Sequence, residues 1–348
     1  MRLIQISCIY LQPYLTGKAY LTRKPKYLKE QVIKILNKLS KLINNIRLKR
    51  YKSAFKKLLN NKKIKFIDIG ASIQIIPRWK RIDKNNLNYV LFEPNPDEAK
   101  KLLKNKKHYN SYKIYESGLG EKNKVLKLNI TKGIYQTSVL KPNFNFLNQF
   151  LNPDRYKIIK EELIRVKKLD YFKIINSDFI KVDAQGYNYE ILEGSAKTLK
   201  DTLGVEAELE FTDIYSKQKL FGDVAKLLKK NNLNFIDFTT LRRWNRYDNS
   251  NYGQCVFGNG LFLKDPDKVL SMSKDKIFKY VAICILYKKF DLVKYILKSK
   301  KININERNLI NKNLKFFNKF SNRSRIARGI LSVMNRFFDF ESEVHLFE

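Results

Sequence analysis

Between residues 64 and 238, short apolar runs alternate with amphipathic ones, and no other feature constrains the fold of this chain as tightly. Ile64–Ile69, Asn88–Glu93, Tyr112–Ser117, Phe179–Asp183, Val205–Phe211 and Asn234–Phe238 read as strands. Residues 96–106, 187–199 and 221–231 carry apolar side chains at helical spacing. Parallel neighbours need a crossover, so strands that repeatedly give way to helices imply a mostly parallel sheet covered on both faces. A further strand at 253–263 follows a loop and is expected to return antiparallel at the sheet edge.

The flanks differ in character. Residues 1–60 form a basic, helical extension, with Val32, Ile35, Leu36, Leu39, Leu42 and Ile43 on one stripe among Lys and Arg. Such a helix either docks on the main domain or lies on an anionic membrane face. Residues 265–348 form a helical region whose 276–301 segment, interrupted near Phe290 and Asp291, reads as a helical hairpin. The middle, 61–264, is the expected main α/β domain, and the motifs described below fall inside it.

The net charge of +37 admits two explanations. One is an anionic partner: nucleic acid, a membrane face or an acidic glycan. The other is a Lys- and Asn-rich composition throughout, since the excess runs through strands and helices alike. Cys8, Cys255 and Cys284 are odd in number and far apart, and His108 and His345 are the only histidines. A zinc site and a disulfide framework are both disfavoured, which fits a reducing compartment such as the cytoplasm, with peripheral attachment to a membrane as an added option. Met1–Tyr20 lacks the pattern of a signal peptide, and no run approaches the ~18–20 apolar residues that span a bilayer.

Two strand ends carry the chemistry. Phe66-Ile67-Asp68-Ile69-Gly70-Ala71-Ser72 runs from a strand into a small-residue turn, where backbone N–H groups can approach a ligand closely. Roughly 25 residues on, Glu93 closes the next strand in Phe92-Glu93-Pro94-Asn95-Pro96, where an acid can accept both hydroxyls of a ribose. No G-x-G-x-x-G or G-x-x-x-x-G-K-[ST] occurs, which disfavours dinucleotides and nucleoside triphosphates. A ligand with ribose but no phosphate fits better, and S-adenosylmethionine is one.

Several further segments occur in a telling order. They are Ser117-Gly118-Leu119-Gly120, Thr137-Ser138-Val139-Leu140, Ile180-Lys181-Val182-Asp183-Ala184-Gln185-Gly186 with Glu190, Leu192 and Gly194, and Val205–Phe211 with Leu220-Phe221. Together with the Asp68 and Glu93 turns they resemble the FkbM family of methyltransferases, over about residues 61–264. The resemblance implies a Rossmann-like class I methyltransferase fold of the α/β class, S-adenosylmethionine as cofactor, and O-methylation of a sugar, glycan or small hydroxylated metabolite. It implies that Asp68, Gly70 and Ala71 face the methionine moiety, Glu93 holds the ribose, Gly118 and Leu119 border the adenine, and Asp183 stands at the reaction centre. Many members carry another glycine just after the first turn, where this chain has Ile73-Gln74.

Histidine is scarce, so a carboxylate is expected to act as base on the acceptor hydroxyl. Asp183 leads, with orientation of the cofactor as its alternative role. Glu206, Glu208 and Glu210 alternate along one strand and share a face. They serve either as a substrate or metal site, with Glu210 nearest the cleft, or as a salt-bridged structural face. Glu210 joins Asp183 as a catalytic candidate, and Ser138 and Glu208 are the substrate-side candidates. No dedicated metal site is expected, although Asp183 with one of these acids could hold a divalent cation through oxygen ligands. Leu241–Arg246 reads as a loop that either contacts an anionic or sugar substrate or is a solvated connector. Nucleic-acid methylation competes on charge, but no Asn/Asp-Pro-Pro-aromatic tetrapeptide is present. A non-catalytic binding protein on the same fold is the third option.

Overall fold

The computed structural model describes residues 24–71, 77–104, 106, 109, 111–247 and 252–318, with backbone alone over most of 24–43. His108, His345 and the Ile73-Gln74 pair lie outside the described residues. The chain divides into two compact units, Met1–Arg50 and Tyr51–Glu348.

In the first unit the described residues are helical, as part of α1 (Lys24–Leu59), and Leu42 and Ile46 are exposed. In the second unit, Phe55, Leu58 and Leu59 of the last turns of α1 are fully buried. There follow β1 (Ile64–Ile69), β2 (Leu87–Phe92), α2 (Pro96–Leu103), β3 (Tyr112–Tyr115), β4 (Gly118–Leu119), β5 (Lys124–Thr131), β6 (Ile158–Lys167), β7 (Phe179–Val182), α3 (Asn188–Glu193), α4 (Ala196–Asp201), β8 (Gly204–Glu210), α5 (Phe221–Lys230), β9 (Leu233–Trp244), β10 (Gln254–Lys264), α6 (Pro266–Leu270), α7 (Lys274–Leu286) and α8 (Phe290–Leu297). Residues 304–318 are helical as well.

Seven strands form one sheet in the order β3-β2-β1-β7-β8-β10-β9. β3, β2, β1, β7 and β8 are mutually parallel, and β10 runs antiparallel to both its neighbours. The chain winds outward from β1 to β3 and then returns to place β7 on the other flank of β1. The β1–β7 boundary is therefore the switch point beyond whose carboxyl ends ligands bind in sheets of this kind. The α/β class and the Rossmann-like winding expected from the alternation are what the sheet displays.

The last strand is not at the edge, contrary to the sequence reading. β10 inserts between β8 and β9 and leaves β9 outermost. The reason lies in side-chain pattern: Val256, Leu261, Phe262 and Leu263 of β10 are buried, whereas β9 is mostly half-buried or exposed, as suits an edge strand. A second sheet, β4-β6-β5, has no counterpart in the sequence reading.

The residues after β10 share a core with the main sheet. Ile277, Phe278, Tyr280, Val281 and Tyr287 cluster with Phe66, Tyr89 and Phe179. Asp178, fully buried before β7, ties this region down. It accepts from Lys276 Nζ at 2.7 Å, Lys279 Nζ at 2.9 Å and the Lys65 amide at 2.8 Å. Lys264, 3% exposed, donates to the carbonyls of Leu199, Lys200 and Asn231, the ends of α4 and α5. A cation there meets the negative ends of two helix dipoles. Among the described residues, no helix is long and apolar enough to cross a membrane.

Candidate active site

The turn after β1 is a wedge between two strand ends. Gly70 has φ +69°, and its amide and that of Ala71 both donate to Phe92 O, at 3.1 and 3.3 Å. On the other side the Asp183 amide donates to Ile69 O at 3.1 Å. A Cβ on Gly70 would lie 1.9 Å from Asp183 O. Both the positive φ and the close backbone approach demand glycine here. Asp68, Gly70, Ala71 and Asp183 are thereby assembled at the switch point.

Asp68 is 1% exposed. Its Oδ2 accepts from the Tyr89 hydroxyl at 2.5 Å, while Oδ1 faces Lys181 Nζ at 3.5 Å and has no hydrogen-bond partner. Burial pushes its carboxyl above the ordinary range, and Lys181 and Tyr89 act against that push. Lys181 also reaches Asp183 Oδ2 at 3.3 Å. Burial opposes the charge on Lys181, but Asp183 and Asp68 outweigh it and keep the ammonium protonated. The sequence reading did not single out Lys181; its signal is a lysine framed by apolar residues inside a buried strand.

Asp183, Glu208 and Glu210 meet beyond β7 and β8. Gln185, at φ +48°, bridges the first two: its Nε2 donates to Asp183 Oδ1 at 3.0 Å and to Glu208 Oε2 at 3.1 Å. Its Oε1 accepts from the Tyr215 hydroxyl at 3.2 Å. Burial, with the charges of Asp183 and Glu210 added, pushes Glu208 well above the carboxylate range. Burial pushes Glu210 to about 8, against interactions with its own amide and that of Gly186. Burial thus holds both acids toward their protonated forms. The Asp183 side chain, 31% exposed, is the solvent-reachable carboxylate of the three. Ser138, buried at 2%, donates to Gln185 O at 2.6 Å and accepts from the Leu140 amide at 3.1 Å. Its oxygen holds the 183–186 turn in place. Gln185 and Tyr215 were not legible as site residues because the bond from Gln185 to Glu208 and the bond between Gln185 and Tyr215 span 23 and 30 residues.

Glu206 parts company with its two neighbours. It accepts from the Thr239 and Tyr287 hydroxyls, both at 2.6 Å, and pairs with Arg78 at 3.5 Å. It is a buried structural acid. Leu241–Trp244 belong to β9 rather than to a loop. Arg155 stacks over Trp244 at 4.8 Å, and Arg246 lies over Phe150 at 4.5 Å while donating to Gln254. Among the described residues, no group of three or more His, Cys, Asp or Glu is arranged to hold a metal ion.

Glu93 stands just past β2, where its Oε1 accepts from the Asn95 amide at 2.8 Å. Burial raises its carboxyl to about 7, and that amide pulls the other way. Gly118 and Leu119 sit at the same end of the sheet, past β3, as β4. Gly118 is held to glycine by Val166, whose Cγ1 would stand 2.7 Å from a Cβ. S-adenosylmethionine suits this donor set. The unfilled Oδ1 of Asp68, the under-solvated Glu93 carboxyl and the side-chain-free turn at Gly70 are acceptors and space for a ribose-bearing cation, with no phosphate cradle among the described residues.

Residues 68–236 match the family model described as the methyltransferase FkbM domain. Among solved structures, a methyltransferase FkbM from Methylobacillus flagellatus is similar at 15% identity and a TM-score of 0.34, covering 56% of this chain. This chain spans 43% of that protein's length. TYW2 of M. jannaschii, solved in complex with AdoMet, is similar at 11% identity and a TM-score of 0.27, covering 61% of this chain and 75% of its own. A putative tRNA (m1A22) methyltransferase from Streptococcus pneumoniae is similar at 10% identity and a TM-score of 0.30, covering 75% and 95%. No curated protein matches. The chain is thus similar to the methyltransferase FkbM domain across residues 68–236, on a Rossmann-like α/β fold.

Proposed function

We propose that the protein transfers a methyl group from S-adenosylmethionine to a hydroxyl of a sugar, glycan or small metabolite. The observation that carries this reading is the state of Asp183. It is an accessible carboxylate fixed by Lys181 and Gln185, set against the Gly70 turn, beside two acids that burial pushes toward the protonated form. The sulfonium of the cofactor supplies an activated methyl and a neutral leaving group, so the protein's task is positioning and removal of one proton. Asp183 takes that proton from the acceptor hydroxyl. Lys181 pairs with Asp183 Oδ2 at 3.3 Å, and Gln185 fixes the orientation of the carboxyl through Oδ1 at 3.0 Å. Glu208 and Glu210 are hydrogen-bond partners for the acceptor side, with Ser138 supporting the turn beneath them. Asp68, Gly70 and Ala71 receive the methionine end, Glu93 the ribose, and Gly118 and Leu119 the adenine side.

The test is Asp183→Asn, which keeps shape and removes basicity. Turnover with hydroxylated acceptors should fall roughly 10²–10⁴-fold with cofactor affinity nearly intact. A wild-type rate in that variant sinks the assignment. Competition by duplex nucleic acid against the acceptor, undiminished at high salt, would favour a nucleic-acid substrate instead.

The basic helix supports a peripheral contact with an anionic membrane face. Lys24–Leu59 holds twelve Lys and Arg against the single acid Glu30, and Leu42 and Ile46 are exposed one turn apart. Co-sedimentation with vesicles containing phosphatidylglycerol at low salt, and its loss on vesicles of phosphatidylcholine alone, is the expected result.

A further inference from the structure

A row of alternating charges crosses the buried face of the sheet beneath the strand ends. Asp68 of β1 is in register with Lys181 of β7, and Lys181 with Glu206 of β8. Arg78 completes the row, 3.5 Å from Glu206. Asp68 and Glu206 are 1% and 4% exposed, so each charge depends on its neighbours rather than on water. The far end of the row is closed by Tyr287, which follows α7 and lies outside the matched domain. Its hydroxyl donates to Glu206 Oε2 at 2.6 Å and accepts from Trp79 Nε1 at 3.1 Å, and its ring lies under the Arg78 guanidinium at 4.4 Å. Burial and the charge of Glu206 keep that hydroxyl protonated, hence a donor.

Trp79 carries the contact back toward the cleft. It stacks on Phe66 at 4.4 Å, Phe66 stacks on Tyr89 at 5.2 Å, and the Tyr89 hydroxyl binds Asp68. Arg78 and Trp79 stand in Pro77–Arg81, the segment by which the chain returns from the Gly70-Ala71 turn. One hydroxyl therefore fixes both the acid that terminates the charge row and the segment that re-enters after the cofactor turn.

We propose that Tyr287 is a positioning residue for the cofactor cleft, acting through Glu206, Arg78 and Trp79, so that the helical region after residue 264 completes a site whose ligand-facing residues all lie in the matched domain. This rests on the methyl-transfer reading above. A hydrogen bond to a buried charge is among the stronger ones, and leaving its partner unsatisfied displaces the groups that share it.

The experiment uses the full chain with Tyr287→Phe, which keeps the ring and its stacking on Phe179 at 5.4 Å while removing the hydroxyl. Three readouts are taken: S-adenosylmethionine and S-adenosylhomocysteine affinity by calorimetry, trypsin cleavage in the 77–81 segment without ligand, and thermal unfolding. Cofactor affinity should weaken about tenfold, cleavage after Arg78, Lys80 or Arg81 should accelerate, and kcat at saturating cofactor should stay near wild type. Arg78→Gln should likewise weaken affinity and speed cleavage after Lys80 or Arg81, while leaving the Tyr287–Glu206 bond in place. A lowered melting temperature with unchanged cofactor affinity makes Tyr287 purely structural and overturns the proposal. Wild-type protein that binds neither ligand overturns the methyl-transfer reading, and this inference with it.

Discussion

At the scale of single residues, the acids around the cleft are held in unlike states by their surroundings. Glu93, raised to about 7, should make cofactor binding depend on pH. Ribose hydroxyls donate to the ionised form, so binding favours deprotonation. Affinity should climb as pH rises toward 7 and level off above it. Glu93→Gln should bind more weakly, by about 1–3 kcal/mol, and with a flat pH profile in the same calorimetric titration. Glu210 bears on stability instead. Its folded-state carboxyl titrates near 8 rather than at the ordinary 4.5, so the folded protein holds that proton more tightly than the unfolded chain. The resulting stabilisation is complete below pH 4.5 and is lost as pH rises through 8. Glu210→Gln should therefore gain on wild type in thermal melts at pH 9, by on the order of a few kcal/mol, and gain little at pH 4.

At the scale of elements, the wedge between β2 and β7 has no slack. Gly70→Ala places a methyl group against Asp183 O at a positive φ, so β1 and β7 must separate at the end where they should meet. A loss of more than about 2 kcal/mol in denaturant stability, together with loss of cofactor binding, is the expected outcome. This turn was legible in the sequence because glycine after a buried acid-tipped strand has few other uses. β1 and β7 were legible for a related reason, since strands covered on both faces write themselves as mostly apolar runs, while β8 showed itself by the strict alternation of its acids with apolar residues. β5 and β6 were not. Ile158–Lys167 reads IIKEELIRVK, whose exposed apolar and charged residues follow no clean period of two. The position of β10 was hidden too, since a strand inserted out of sequence order leaves no local trace. In the site, acids at strand ends announced themselves, whereas Lys181, Gln185, Tyr215 and Tyr287 act on residues that only the winding of the sheet brings near.

At the scale of the molecule, the residues after β10 are built into the main core. A chain ending at Lys264 would expose Phe66, Trp79 and Phe179 where Tyr280, Val281 and Tyr287 now cover them. We expect that fragment to aggregate on expression even though every cofactor motif falls inside it; a soluble, cooperatively melting fragment would overturn this. Asp178→Ala tests the same attachment more gently, since it strands two buried ammonium groups and should cost about 3–5 kcal/mol in chemical denaturation. The insertion of β10 also sets a timetable for synthesis. While the ribosome is still making residues 211–253, β8 has its β7 neighbour but presents an open edge on the other side, and β9 has nothing to pair with. That edge is closed only when β9 and β10 have formed their hairpin and docked together, β10 foremost. The strand bearing Glu206, Glu208 and Glu210 is thus the last of the parallel set to be sealed. Three acids along an open edge also repel strands from other nascent chains, so residues that later serve the finished cleft would guard the unfinished sheet from mispairing.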